Sequence, residues 1–282
     1  MENIKKNPLS LQLNAEDFLP ASNEEKQSLV VMRESVNFWK DGIRRLKKNK
    51  IAMVSFVFII AIAIFAYILP AVWPYSYSEQ VKGSNNLAPF EYSAAEQARI
   101  DAGEKVFPHI LGTDRMGRDF AVRIMMGTRV SLSVGLIASV LVLIIGATYG
   151  AVSAFAGGWV DNIMMRIIDV LDSIPMTLYV ILIMVVVGPG ISSIIIALGL
   201  TFWVKMARIV RGQVLTLKQQ EFVKAAIVTG ADTKRIIVKH LIPNMMGPIM
   251  VNMAMQIPSA IFNEAFLSFV GLGISAPMAS WG

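Results

Sequence analysis

Cysteine is absent from this chain, and only two of its 282 residues are histidine. The absence of cysteine excludes disulfides, thiolate metal sites and a cysteine nucleophile. Because His109 and His240 are the only histidines, neither a metal centre nor a catalytic residue is expected. Charge is also scarce: charged residues make up 16% and hydrophobic residues 55% of the chain, against about 25% charged in ordinary soluble domains. This composition predicts a protein embedded in lipid.

The apolar residues are gathered into runs long enough to cross a bilayer. The first run is too long for the core of a signal peptide. Five spans are predicted, over residues 51–70 and about 131–155, 163–187, 191–210 and 245–266. Gly188-Pro189-Gly190 separates the third span from the fourth and predicts a tight helical hairpin. The predicted fold is therefore an all-α integral membrane protein.

The basic residues predict the orientation of these spans. Residues 33–50 hold seven Lys/Arg against two acids, residues 205–240 hold eight against two, and residues 70–129 hold seven of each. Positive-inside bias then predicts a cytoplasmic N-terminal arm (1–50), an extracytoplasmic segment (71–129) and a cytoplasmic loop (211–243). The net charge of +6 is thus explained by topology, and no nucleic-acid partner is expected.

The cytoplasmic loop has the pattern of two short helices joined by a glycine turn. Small and apolar residues recur on one face of the first helix, at Phe222, Ala225, Ala226 and Thr229. Gly230 suits a left-handed helix end, Asp232 can cap the second helix, and Pro243 is expected to end it. The second helix carries its own apolar stripe, at Ile236, Ile237, His240 and Leu241. A surface hairpin that merely links two spans remains an alternative, whereas a DNA-binding helix-turn-helix is disfavoured by the adjacent spans.

A second motif, His109-Ile110-Leu111-Gly112-Thr113-Asp114-Arg115-Met116-Gly117-Arg118-Asp119, precedes the second span. Asp114 to Gly117 suits a type I turn, and Asp119 and Arg123 have the i,i+4 spacing of a helical ion pair. An anion or metal site is the alternative, but one histidine and two aspartates make a poor metal site. Similar spacing suggests that Arg166 pairs with Asp169 at an inner interface.

The loop residues Glu221, Ala225, Ala226 and Gly230, with Pro243 downstream, resemble the cytoplasmic loop of type I ABC import permeases. In that family the loop carries the coupling helix, which fits a cleft on the ATPase subunit. Residues 206–213, 266–273 and 280–282 are similar to the C-type permease of the oligopeptide/dipeptide/nickel importers. The oligopeptide branch is the one most similar in Trp39-Lys40-Asp41, Arg44-Arg45, Met164-Met165-Arg166 and Ser173-x-Pro175. The resemblance covers about residues 35–282. Family members continue into a sixth span, so the chain is expected to be a fragment.

The resemblance implies a permease subunit that moves oligopeptides across the cytoplasmic membrane of a prokaryote. Dipeptide or nickel import is the close alternative, and a non-ABC transporter or channel, or a membrane assembly protein, is the distant one. The implied partners are membrane lipid, a second permease subunit, two ABC ATPase subunits and an extracytoplasmic peptide-binding protein. No Gly-x-x-x-x-Gly-Lys-[Ser/Thr] occurs in the chain, so ATP and Mg are assigned to the ATPase subunits and neither a cofactor nor an enzymatic activity to this chain.

The residues expected to contact the ATPase are Glu221, Phe222, Ala225, Ala226, Gly230, Lys234 and Arg235. Alternatively, Lys234 and Arg235 are solvated charges that only help to keep the loop on the cytoplasmic side. The residues expected to shape the outer vestibule against the second permease are His109, Gly112, Thr113, Asp114, Gly117, Arg118 and Asp119. Glu264 is a pathway candidate that can contact a peptide's positive terminus, although a position in water at the outer interface is favoured.

Overall fold

The computed structural model describes residues 38–274 and 277–281. All of the long secondary-structure elements in these residues are helices. The expected polar arm falls mostly on residues 1–37, outside the described residues, as do Ser275, Ala276 and Gly282. The helices are α1 (Phe38–Lys48), α2 (Lys50–Tyr67), α3 (Leu69–Val72), α4 (Ala94–Asp101), α5 (Phe120–Ala156), α6 (Gly158–Asp172), α7 (Met176–Val187), α8 (Ile191–Leu217), α9 (Glu221–Val228), α10 (Thr233–Arg235) and α11 (Ile242–Phe269), with a π-helical stretch at Ile236–Leu241. Within the described residues, β-structure is limited to one bridge between Thr113 and Asp119.

The chain divides after Phe58 into two compact units. The first unit contains α1 and the beginning of α2. In α1, Asp41 pairs with Arg44 at 2.5 Å and with Arg45 at 2.7 Å. These guanidinium groups hold the pKa of the Asp41 carboxyl below its usual range. Of α2, only Ala66 is buried within the described chain, as expected for a helix that is surrounded by lipid.

The second unit is built on the packing of α5 against α8. α5 is 37 residues long and begins at Phe120, about ten residues before the predicted span, because Asp119 caps it by accepting a hydrogen bond from the Val122 N–H. Gly146 and Gly150 lie one turn apart on the face of α5 that meets α8. A Cβ on Gly150 would stand 2.2 Å from the Ala207 carbonyl oxygen, so the two backbones are in direct contact, as in other small-residue membrane interfaces.

The predicted span over 163–187 is not one continuous helix. The structure has α6 and α7 instead, with an angle of 83° between them. Pro175 precedes α7 and offers no N–H for a continuous ladder, and it disfavours helical geometry at Ile174. The glycine-proline-glycine break after α7 is confirmed, and α7 packs on α8.

The expectation that Pro243 ends the second loop helix is also wrong. The π-helical stretch runs directly into α11, and Pro243 lies in the first turn of α11, where its missing N–H is tolerated. One continuous helical element therefore runs from Thr233 to Phe269, with Pro248 and Pro258 inside it. Within the described residues, four helices are long and apolar enough to cross a membrane, and α6 with α7 makes a fifth crossing if the bent pair is one span.

Candidate functional site

The loop between α8 and α11, residues 218–241, forms an open hollow of about 460 Å³. α8 runs on to Leu217, so this helical loop is shorter than the predicted 211–243. Gly230 has a φ of +81° and reverses the chain after α9, which confirms the predicted left-handed turn. The hollow is lined by Phe222, Ala225, Ala226, Thr229, Gly230, Ala231, Arg235 and His240. The predicted common face of the first helix is thereby confirmed.

The helical loop is fixed to the membrane helices by its buried face. Val223 and Leu241 are fully buried, and Ile236 is 2% exposed. These side chains belong to one apolar cluster with residues from the adjoining halves of α5, α8 and α11, such as Val210 and Met245. Because close-packed interiors have few voids, a displacement of α9 is transmitted to those helix ends.

Four of the expected contact residues are exposed: Phe222, Ala225 and Gly230, which line the hollow, and Glu221, which precedes Phe222. Ala226, also expected to contact the ATPase, is 9% exposed and packs on the cluster beneath the hollow. Asp232 occupies the N-cap position of α10, but its side chain makes no capping hydrogen bond. Lys234 and Arg235 are both exposed, and no acidic side chain in the described residues pairs with either.

The His109–Asp119 motif closes the polar segment, residues 73–119, onto the N-terminus of α5. His109 is fully buried, with Nδ1 at 2.8 Å from Asp119 Oδ2 and Nε2 at 3.0 Å from Glu96 Oε1. Trp73 Nε1 also donates to Asp119, at 3.2 Å, and the Tyr75 ring stacks on the imidazole at 4.3 Å. The two carboxylates lie at opposite edges of the ring, so the three groups cannot converge on one metal ion.

The remaining residues of the motif have structural contacts. Gly117 N–H donates to Asp114 O at 3.0 Å, which confirms the predicted turn. Thr113 Oγ1 donates to the Ser84 carbonyl and accepts from the Leu87 N–H. A Cβ on Gly112 would stand 2.2 Å from the Leu87 carbonyl oxygen, and one on Gly117 would stand 2.4 Å from that of Val81. Both glycines, with positive φ, therefore allow backbone contact inside the polar segment.

The expected pairing of Asp119 with Arg123 is wrong. Arg123 lies 3.5 Å from Asp114, which also pairs with Arg118 at 2.7 Å, because Asp119 is already occupied as the cap of α5 and the partner of His109. Arg166 does approach Asp169, at 3.8 Å, as expected. Arg208 makes the shorter contacts there, at 3.0 Å to Asp169 and 2.6 Å to Asp172.

Electrostatics in the polar segment follow from these contacts. Burial disfavours the charged Glu96 carboxylate, but hydrogen bonds from Ser93 and His109 outweigh it and lower the pKa of Glu96 below its usual 4.5. Burial likewise opposes the Asp114 charge, while the Arg118 and Met116 N–H groups and the Arg118 side chain lower the pKa of Asp114. Burial, reinforced by the nearby carboxylates, raises the pKa of Tyr75 to about 12.

Glu264 is fully buried, so the favoured position in water is wrong. Its carboxylate accepts hydrogen bonds from Ser131 Oγ at 3.2 Å and Ser268 Oγ at 2.9 Å. Ser131 Oγ in turn accepts from the Trp281 N–H at 3.3 Å, and Trp281 Nε1 donates to Thr128 Oγ1 at 3.0 Å. The burial results from the packing of α11 on α5. A contact with substrate stays a prediction.

Sequence reasoning missed Glu96 and Trp73 as partners of the motif, and Arg208 as the partner of Asp169. The only local signal at Glu96 was its spacing from Ser93, which forms the capping box of α4 and indicates a helix start. Arg208 is 39 residues from Asp169, so helical spacing could not reveal the pair.

Comparison with known proteins places these features in a family. Residues 143–282 match the profile described as binding-protein-dependent transport system inner membrane component. Residues 37–89 match the N-terminal TM domain of oligopeptide transport permease C. A solved structure of a methionine ABC transporter in inward-facing conformations is similar with a TM-score of 0.48 and 21% identity, covering 54% of this chain and 76% of that one.

Full-length relatives give the same family. The oligopeptide transport system permease protein of Bacillus subtilis is 43% identical over 282 residues, which are 100% of this chain and 84% of the relative. The dipeptide transport system permease protein of the same organism is 45% identical over 271 residues, 96% of this chain and 80% of the relative. The oligopeptide permease of Escherichia coli is 38% identical over 88% of this chain and 78% of the relative. The chain therefore belongs to the binding-protein-dependent transport system inner membrane components, the permease subunits of ABC importers.

Proposed function

We propose that the chain is the permease subunit of an ATP-driven importer of oligopeptides, coupled to separate ATPase subunits through residues 219–234. The observation that carries this proposal is the helical loop, which combines an exposed hollow with a buried face rooted in the long helices. A linker would need neither feature, because an exposed connection is stable without a packed core of its own. The oligopeptide permease relatives support the substrate class.

The hollow is suited to receive an ATPase surface. Ala225 and Gly230 line the hollow with little or no side chain, so another backbone can approach closely. Phe222 is 40% exposed at its rim and offers the aromatic contact that is common at interface centres. Arg235 lines the hollow, and Glu221 and Lys234 are exposed next to lining residues. All three can pair with opposite charges of the ATPase.

The proposed coupling is mechanical. ATP binding closes the ATPase subunits, which displace α9, and the shared apolar cluster conveys the displacement to the ends of α5, α8 and α11. The transport pathway then exchanges between inward- and outward-facing states, whose populations ATP shifts. The chain contributes no catalytic residue to this cycle, since ATP and Mg are bound by the ATPase subunits.

The assembly proposed around this chain has a second permease subunit, two ATPase subunits and an extracytoplasmic peptide-binding protein in the cytoplasmic membrane. The N-terminus and the helical loop face the cytoplasm, and the polar segment faces outward, where the motif from His109 to Asp119 adjoins the second permease. The excess of Lys/Arg in residues 205–240 supports this orientation.

Dipeptides are the second candidate substrate. The dipeptide permease of Bacillus subtilis is 45% identical to this chain, against 43% for the oligopeptide permease of that organism. Reconstituted uptake of labelled dipeptides and pentapeptides in parallel distinguishes the two candidates.

The coupling proposal is tested by placing a charge in the hollow. Ala225 is exposed on α9, so Ala225→Asp leaves the core intact and introduces an unpaired carboxylate into the interface. We expect peptide-stimulated ATP hydrolysis by the reconstituted complex to fall about tenfold or more, as at an interface hot spot. Ala226 faces the core, so its substitution would report on folding instead.

Asn244→Asp is the matched control. Asn244 is exposed in the first turn of α11, outside both residues 219–234 and the hollow. The control complex is expected to hydrolyse ATP at the wild-type rate. Full coupling in Ala225→Asp, with the subunit present in the complex, would contradict the proposal.

A further inference from the structure

A cavity of about 430 Å³ lies between the bend joining α6 to α7 and the facing sides of α8 and α11. Its lining is mixed: the bend between α6 and α7 contributes the Asp172 carboxylate and mainly apolar side chains, whereas α8 and α11 contribute most of the polar ones. α8 contributes Thr201 and Lys205, and α11 contributes Gln256, Ser259 and Asn263. Polar groups inside a membrane are unfavourable unless they have partners, so their concentration on one wall indicates a ligand or water-filled path.

The residues from α11 lie on one helical face. Gln256, Ser259 and Asn263 are separated by three and four positions, and Asn252 extends the same row by one turn. From Asn252 to Asn263 the row covers about 16 Å at 1.5 Å per residue. An extended chain spans about 3.4 Å per residue, so the row matches roughly five residues of an extended peptide.

The amides in this row retain free hydrogen-bonding capacity. The Asn263 amide nitrogen donates to the Ser259 carbonyl at 2.7 Å, and Ser259 Oγ donates to the Met255 carbonyl at 3.0 Å. In the part of the chain that the structure describes, the Gln256 amide has no hydrogen-bond partner, and the Asn263 side-chain oxygen has none. An amide side chain both donates and accepts, which is the pattern of a peptide unit.

Lys205 is the cation of the cavity. It lies near the middle of the 27-residue α8, and among the described residues no carboxylate is within ion-pair distance of its ammonium group. Asp172 also lines the cavity, and its charge is already paired with Arg208 at 2.6 Å. Lys205 follows Thr201 along α8, so it stands at the end of the cavity nearer the helical loop.

We propose that this cavity is a peptide-binding surface of the transport pathway, in which Lys205 pairs with the C-terminal carboxylate and Gln256 and Asn263 bind main-chain amides. This inference rests on the proposed import of peptides, and it identifies the parts of the peptide that the cavity would bind. Because the cavity would bind the carboxylate and the main chain and not the side chains, it suits peptides of varied sequence. The surface predicts a preference for a free carboxyl terminus.

The test compares a pentapeptide with its C-terminally amidated form in the complete complex reconstituted in proteoliposomes. Binding-protein affinities for both peptides are measured separately, and uptake is recorded with the binding protein saturated. We expect wild type to take up the acid about tenfold faster than the amide, as for a charge-assisted hydrogen bond. Lys205→Met is expected to take up both peptides at the slow rate, removing the discrimination.

Gln256→Leu and Asn263→Leu are expected to slow both peptides alike, without changing the acid-to-amide ratio. Met255→Leu, an exposed position off the polar row of α11, is the control and should transport as wild type. If Lys205→Met keeps the wild-type ratio, or the two leucine variants transport normally, the inference is overturned. Failure of the wild-type complex to take up either peptide would refute the proposed function itself.

Discussion

At the residue scale, the polar segment depends on a buried histidine held between two carboxylates. Glu96 is 3% exposed and makes hydrogen bonds to both Ser93 and His109. We expect Glu96→Gln to destabilise the segment by about 1–3 kcal/mol, since it leaves buried partners unsatisfied. Pulse proteolysis of the protein in detergent measures this. Glu104→Gln is the control, because the exposed Arg99–Glu104 pair at 2.7 Å should contribute less than about 1 kcal/mol.

The same residues predict the pH dependence of the segment. Folding lowers the pKa of both Glu96 and Asp114 below their ordinary values of 4.5 and 3.8. The unfolded segment then binds more protons at acidic pH, so the stabilisation is present above about pH 4.5 and is lost as pH falls through the folded pKa values. Protease protection should therefore decline below pH 4.5, and more shallowly in Glu96→Gln. An unchanged profile in that variant would contradict the assignment.

These residue contacts could be predicted only in part. The turn from Asp114 to Gly117 and the left-handed Gly230 were predictable because both depend on a few consecutive residues. The partners of His109 and the burial of Glu264 were not, since they depend on which helices pack together. A carboxylate near the end of an apolar run has the same local sequence whether it faces water or two serines.

At the element scale, the close approach of α5 and α8 depends on two glycines. We expect Gly150→Ala to destabilise the protein by about 1–3 kcal/mol through overpacking, because the added Cβ would stand 2.2 Å from the Ala207 carbonyl oxygen. Gly212→Ala is the matched control: nothing lies within 4 Å of its Cβ position, and alanine favours a helix. Thermal unfolding in detergent should show a loss for the first variant and none for the second.

Helix limits were predictable where glycine sets them, and not where they depend on a capping residue or on the context of a proline. The break between α7 and α8 follows from Gly188-Pro189-Gly190. Pro175 bends the chain, whereas Pro243, preceded by a π-helical stretch, does not interrupt it. The sequence does not reveal this difference, because it depends on how the preceding carbonyl groups are satisfied.

At the scale of the whole molecule, the charge distribution predicts opposite sides for the helical loop and the polar segment. Since the chain has no cysteine, Lys224→Cys and Lys105→Cys each introduce a single thiol at an exposed position. A membrane-impermeant maleimide added to intact cells should label Lys105→Cys and label Lys224→Cys only after permeabilisation. The parent chain is the blank, and labelling of both thiols in intact cells would refute the orientation.

The continuous helical element from Thr233 to Phe269 carries both proposed sites, with Pro248 and Pro258 inside it. Its first turns border the hollow that is proposed to receive the ATPase. Further along, Gln256 and Asn263 form the amide row of the cavity. Pro248 lies between the two sites and removes one backbone hydrogen bond, so a tilt imposed at the loop reaches the amide row through a helix that can bend at this residue. Under the proposed function, the angle of that bend would set how far nucleotide turnover moves the wall that holds the cargo.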